Sequence, residues 1–335
     1  MKNFLFILLI VLIIGGGFFL YSQKAGWDYK NIMEKNKTLE INDTKKSLTF
    51  IFVGDIMLSR AVGDKMEKEN DWTWPFLKIG DWLKNADITF GNLEGPISDK
   101  GMNVGSIYSF RADPRSIEGL KYAGFDVLSV ANNHMGDWAV PAFEDTLEKL
   151  KNAEIDYIGG GHNQKEAYGP LKKEINGTSF CFFAYTDLGP RSFEAGTDSP
   201  GMAFLDIELA QKDIEKYKKN CDIIIVSLHF GEEYKEKATS RQKVVAKALV
   251  NAGADLIIGH HSHVIGEVET IGNAYVYYGL GNFIFDQMFS EKTCRGIALV
   301  AEVKDKKFIN VVPHEIYIND FFQPELSSDK KLSTR

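Results

Sequence analysis

Cysteine is scarce in this chain of 335 residues: there are three, Cys181, Cys221 and Cys294, an odd count with no close spacing. The sequence therefore argues against a disulfide framework and against a cysteine-based zinc site. All three lie in or beside apolar runs, so buried free thiols are expected. Dense runs of lysine and arginine are also missing, and the net charge is −7. Nothing suggests nucleic acid, and a polyanionic partner would need a local basic patch. No internal repeat appears, and no linker interrupts residues 48–320, which favours one domain there. The triple glycine Gly159–Gly161 lacks the lysine and serine or threonine that end a phosphate-binding loop.

What is present is 44% hydrophobic and 25% charged residues, as in ordinary globular proteins. The N-terminus differs. An apolar run from Phe4 to Tyr21 follows Met1, Lys2 and Asn3. A membrane span needs about 20 such residues. Residues 1–22 are expected to be an uncleaved signal-anchor, a transmembrane helix with Lys2 held inside. A cleaved signal peptide is the rival, but no clean cleavage site follows Leu20. The rest of the chain would then lie outside the cytoplasm, on a single-pass membrane protein. Residues 23–47 read as a polar stalk, 48–320 as the folded domain and 321–335 as a short polar tail.

Within the domain, five apolar, β-branched runs read as buried strands: Leu48–Val53, Ala86–Phe90, Phe125–Ala131, Asp222–Leu228 and Asp255–Ile258. Helix patterns lie between them, at Pro114–Tyr122, Val140–Lys151, Leu205–Asn220 and Ser240–Ala252, the last stopped by Gly253. This alternation predicts an α/β domain with mainly parallel pairing. Residues 175–186, 274–285 and 296–303 read as further strands of a second sheet.

Each of the five runs ends in polar residues: Asp55; Asn92 with Glu94; Asn133 with His134; His229; and His260, His261 and His263. In extended backbone, residues i and i+2 share a side. On that basis His261 and His263 face one point and His260 faces away. The crevice of an open α/β sheet lies at the carboxyl ends of its strands. Carboxylate, amide and imidazole gathered there suit a divalent metal such as Mn, Fe, Zn or Co. Two ions about 3.5–4 Å apart would need a bridging carboxylate, for which Asp55 is the candidate.

The blocks Phe52–Leu58, Gly91–Ile97, Ala131–His134 with Asp137, His229–Tyr234, Gly259–Val264 and Gly279–Phe283 resemble, in order, the poly-γ-glutamate capsule biosynthesis CapA family, a branch of the calcineurin-like metallophosphoesterases. The resemblance implies a four-layer α/β fold, two mixed β-sheets flanked by helices, on a membrane-anchored protein. It implies one or two divalent ions held by Asp55, Asn92, Glu94, Asn133, His229, His261 and His263. His134 would be the acid or oxyanion-stabilising group beside Asn133. Two departures stand out: Met57 occupies a place where the wider superfamily has histidine, and Asn92 one where it has aspartate. Either change weakens a full dinuclear phosphatase centre.

Other residues have weaker claims. Arg111 suits a carboxylate or phosphate, since guanidinium binds both in a fork; pairing with Asp113 is an equal alternative. Glu232 or Glu233 would be a general base or a partner to an imidazole, and Glu232 is taken as the catalytic candidate. Asn282 would hydrogen-bond substrate, or simply shape a turn. Three functions follow. The first is a metal hydrolase-like protein of poly-γ-glutamate synthesis, export or processing, with that or another anionic polymer and membrane synthase subunits as partners. The others are a phosphoesterase on an envelope substrate and a non-catalytic assembly subunit.

Overall fold

The computed structural model describes residues 47–327. The expected signal-anchor and the expected stalk, apart from Ser47, lie outside them. The strands, in chain order, are β1 (Leu48–Ile56), β2 (Ile88–Leu93), β3 (Val127–Ser129), β4 (Asp156–Ile158), β5 (Gly160–Gly161), β6 (Leu171–Ile175), β7 (Thr178–Thr186) and β8 (Gly201–Met202). They continue with β9 (Ile223–His229), β10 (Leu256–His260), β11 (Val268–Ile271), β12 (Ala274–Tyr277), β13 (Asn282–Ile284), β14 (Arg295–Lys304), β15 (Lys307–Ile318) and β16 (Pro324–Leu326).

Two mixed sheets result. The first runs β16-β15-β14-β1-β2-β3-β4, with β13 also paired to β1. Its β1 to β4 are parallel, and β14 to β16 are antiparallel. The second runs β11-β12-β10-β9-β7-β6, parallel in the middle and antiparallel at both edges. The later strands therefore do not form a sheet of their own, as the sequence suggested. β7 and β12 flank β9 and β10, whereas β14 returns to pair with β1. Pairing between distant segments is not encoded in local periodicity.

Strand alternation builds the layers. Phe50 and Phe52 of β1 pack with Phe180, Phe182, Ile223 and Ile225 between the sheets. Ile51 and Val53 face the other way, onto Val62, Met66, Phe143 and Leu147 of the helices Arg60–Glu69 and Ala139–Asn152. On the far side, Ile224 and Val226 meet Ile214, Val245 and Leu249 of the helices Ile207–Lys218 and Ser240–Ala252. Helix, sheet, sheet and helix thus follow in four layers. The helix Ser240–Ala252 begins at a capping box of Thr239 and Gln242 and ends at Gly253, whose φ of 119° suits glycine.

One further expectation needs correcting. Cys181 and Cys221 form a disulfide, with Cα atoms 5.9 Å apart; only Cys294 is a buried free thiol. Parallel pairing sets Phe180 against Ile223, so Cys221 enters β9 beside Cys181. A separation of 40 residues conceals that proximity in the sequence. Within the expected tail, Pro324–Leu326 pairs with β15. Among the described residues, no helix is long and apolar enough to cross a membrane.

Candidate metal centre

Both sheets deliver polar residues to one seam. In β9, Ile223 and Ile225 face between the sheets, and alternation carries His229 to the same side. In β10, Leu256 and Ile258 do so, and His260 follows them. His229 and His260 are direct neighbours in the parallel register. His260 therefore does not face away, as expected; its Nδ1 lies 3.2 Å from Asp55 Oδ1. That contact falls short of hydrogen-bond geometry, and both ring nitrogens of His260 remain without a partner. Alternation stops at His260, because His261 and His263 have φ of 89° and 55°. The turn, not an extended strand, brings their rings to 5.9 Å.

Asp55 reaches the seam through an irregularity. Simple alternation from Phe52 would point it at the helices, but the β1–β2 register shifts between Phe52 and Asp55. Such bulges re-aim side chains. Gly54 permits it: a Cβ there would meet Gly281 O at 1.9 Å. Asp55 Oδ1 accepts from Asn92 Nδ2 at 2.9 Å, and Oδ2 accepts from the His261 N–H at 3.2 Å. Burial would raise its pKa, but the imidazoles of His260 and His263 close against it hold it well below the usual range. Glu94 is the opposite case. Burial, then the Asp55 charge, pushes it well above the usual range.

The histidines divide likewise. Burial and the neighbouring His261 lower His229. Burial and His263 bring His261 down to about 4. For His263 burial is outweighed by Glu94 and Asp55, which raise it to about 9. His229 Nε2 stands 2.7 Å from Asn133 Oδ1. His134 Nδ1 stands 2.8 Å from Asp137 Oδ2, and Phe110 stacks on its ring at 3.9 Å. An ionised carboxylate only accepts, so Nδ1 carries the proton and Nε2, 3.9 Å from Glu94 Oε1, faces the seam.

Four expected residues sit differently. Asn92 turns its amide nitrogen to Asp55 and Glu94, while its oxygen accepts from Asn132 Nδ2 at 3.1 Å. It spaces the carboxylates, and its oxygen is already engaged by Asn132. Arg111 stacks on Trp138 at 3.5 Å and donates to Lys100 O; Asp113 pairs with Arg115 instead. Glu232 is exposed and belongs to neither cluster of ligating atoms, whereas Glu233 joins one. Asn282 is fully buried in β13, where its Oδ1 holds His263 Nδ1 at 3.0 Å. Its amide nitrogen donates to Gln287 Oε1 and Thr293 O. Asn282 therefore orients an imidazole and is not a turn residue. Asn132, not singled out from the sequence, anchors Asn92 and the His134 N–H; the doubled asparagine before His134 was its only signal. A cavity of about 1070 Å³, lined by Lys100, Glu144, His162 and Lys165 among others, is lined by none of these seam residues.

Two clusters emerge: Asp55, Glu94 and His229, all buried, and Glu233, His261 and His263, of which Glu233 is exposed. Within each, the ligating atoms lie within 4.8 Å of one another. Glu94 Oε1 and His261 Nδ1 are buried without a hydrogen-bond partner. Each such atom costs about 1–3 kcal/mol, and a cation would satisfy both. Oxygen and imidazole donors also suit a borderline divalent metal. The residues present fit one or two such ions.

Fold and site together define a two-sheet α/β protein with a histidine–carboxylate centre at the strand ends of both sheets. The model of the bacterial capsule synthesis protein family PGA_cap matches residues 49–287, and the chain belongs to that family. It is 34% identical over 256 residues to capsule biosynthesis protein CapA of Bacillus anthracis, covering 72% of this chain and 61% of that protein. It is 32% identical over 249 residues to PGA biosynthesis protein CapA of Bacillus subtilis strain 168, covering 72% and 64%. The chain thus spans less than two thirds of these relatives. Among solved structures it is similar to a hypothetical protein from Thermus thermophilus, at 16% identity and a TM-score of 0.50 over 80% of this chain and 98% of that one. It is also similar to the calcineurin-like phosphoesterase YfkN from Bacillus subtilis, at 14% identity and a TM-score of 0.49 over 80% and 90%.

Proposed function

We propose that this chain acts outside the cytoplasm in the synthesis, export or processing of poly-γ-glutamate, through a metal-dependent hydrolase-like centre. The N-terminal segment 1–22 would anchor it to the cell membrane beside synthase subunits. The observation that carries the reading is the pair of ligand clusters at the seam, with the buried, unpaired Glu94 Oε1 between histidines.

Asp55, Glu94 and His229 would hold one ion, and Glu233, His261 and His263 a second. A bound divalent ion polarises a carbonyl and supplies hydroxide near neutral pH. Asn282 orients His263, and Asn133 orients His229. Asp137 fixes the His134 proton on Nδ1, leaving Nε2 to exchange a proton with the reacting group. Met57 weakens the phosphoesterase reading: it is fully buried, and its sulfur accepts from Ser59.

The test is metal content of the purified full chain beside that of Glu233→Ala and Glu232→Ala, paired with assays on poly-γ-glutamate and on a generic phosphodiester. Metal lost with Glu233→Ala but kept with Glu232→Ala, together with polymer cleavage, is the expected outcome. Phosphodiester turnover without polymer cleavage would transfer the reading to a phosphoesterase. A native chain without metal or activity would make it an assembly subunit.

A further inference from the structure

Two exposed aromatic side chains from distant parts of the chain meet beside this centre, and a third, Tyr108, is also exposed. Tyr234 follows β9, Phe289 follows β13, and Tyr108 lies between β2 and β3; they are 44%, 69% and 66% exposed. The Tyr234 ring meets Phe289 edge-on at 5.5 Å and lies 6.2 Å from the His263 ring. Glu233 precedes Tyr234 on the same loop. Exposed apolar groups gathered in one patch mark interaction sites.

Tyr234 is also strained. Its φ of 61° is an outlier for a bulky side chain. Such conformations collect at ligand clamps. The strain is held by the Tyr234 N–H, which donates at 2.8 Å to the carbonyl of Ser262, between His261 and His263. The hydroxyl accepts from Gln287 Nε2 at 3.3 Å. Gln287 Oε1 accepts from Asn282 Nδ2 at 3.1 Å, and Asn282 Oδ1 accepts from His263 Nδ1 at 3.0 Å. A continuous relay thus joins an exposed ring to a buried imidazole. Because Gln287 donates to the phenolic oxygen, the phenolic proton is left for an acceptor: Glu233 beside it, or an amide carbonyl of a bound chain.

We propose that Tyr234 and Phe289 form an aromatic clamp holding an extended amide-linked chain over the centre, with Tyr234 the contact that links chain binding to His263. The flat amides and methylenes of such a chain pack against ring faces, and Tyr234 donates to one carbonyl. This inference rests on the polymer-processing reading above.

The test is calorimetric titration of the metal-loaded full chain with a γ-linked glutamate oligomer, for the native chain, Tyr234→Asn and Phe289→Ala. Asparagine tolerates the left-handed backbone, so Tyr234→Asn removes the ring without disturbing the turn. Phe289 is exposed, which keeps its variant folded. Each change is expected to weaken binding about tenfold, with metal stoichiometry unchanged. Native-strength binding by both variants would overturn the clamp and leave the polymer reading standing. Loss of metal from Tyr234→Asn would also overturn it, since the residue would then be part of the scaffold. A native chain that binds metal but no oligomer would overturn both.

Discussion

Replacing Gly54 with alanine tests how tightly the centre is built. The added Cβ would lie 1.9 Å from Gly281 O and 2.9 Å from Gly281 C. Both are backbone atoms, so no flexible side chain can swing away. The same carbonyl accepts the Asp55 N–H at 3.0 Å, and Asn282 follows it by one residue. Relief therefore requires β1 and β13 to separate, which displaces Asp55 from Asn282 and His263. Overpacking a core typically costs about 1–3 kcal/mol, and a clash between two backbones belongs at the upper end. At roughly 2–4 °C per kcal/mol, 3 kcal/mol lowers the melting temperature by roughly 6–12 °C. Metal affinity should fall about tenfold or more, as when ligand supports are lost. Thermal melts and chelator competition on the purified chain provide the measurements. A variant that melts within about 2 °C of the native chain and keeps its metal would refute the account of the Gly54–Gly281 approach.

Three further outcomes are expected. Asn282→Ala removes the acceptor for His263 Nδ1 and should weaken metal binding about 10–100-fold in a chelator competition; unchanged affinity would contradict its orienting role. Asp145 is held at about 2, against its burial, by Lys100, Lys149 and Ser98. This lowered pKa contributes about 2 kcal/mol above the unfolded pKa of about 3.9, lost as pH falls through 2. Asp145→Asn should therefore destabilise the chain at neutral pH and converge with the native chain at the acid end of a denaturation series. Reduction of Cys181–Cys221, which closes 40 residues, should lower stability by up to about 4 kcal/mol in urea titrations with and without reductant.

The sequence made the candidate ligands legible because each stands where an apolar run stops. Asp55, Glu94, His229, His261 and His263 could be picked out that way, since burial of a strand on both faces leaves a continuous apolar signature. What lay beyond was governed by contacts between distant segments. Whether Glu232 or Glu233 turns inward depends on the loop that opens at Gly231, whose φ is 98°. Arg111 was read as a ligand for anions because no local pattern announces the Trp138 ring beneath it. His260 was misplaced by carrying strand alternation through a turn, and the His261 φ of 89° marks where that rule ends. The disulfide was missed for the same reason as the sheet assignment: neighbouring strands in space are remote in the chain.

The position of β1 has a consequence for biosynthesis. Its hydrogen bonds on one side go to β2, the next strand made, but on the other they go to β13 and β14. Asp55 and the His261 N–H that it binds are 206 residues apart. A chain emerging N-terminus first can form β1 to β4 early, yet the Asp55 carboxylate has no complete surroundings until the last third has arrived. Closing so long a loop comes late in folding. A nascent or truncated chain would display half of one sheet and no centre at all, so the centre is assembled only when synthesis and folding are nearly complete.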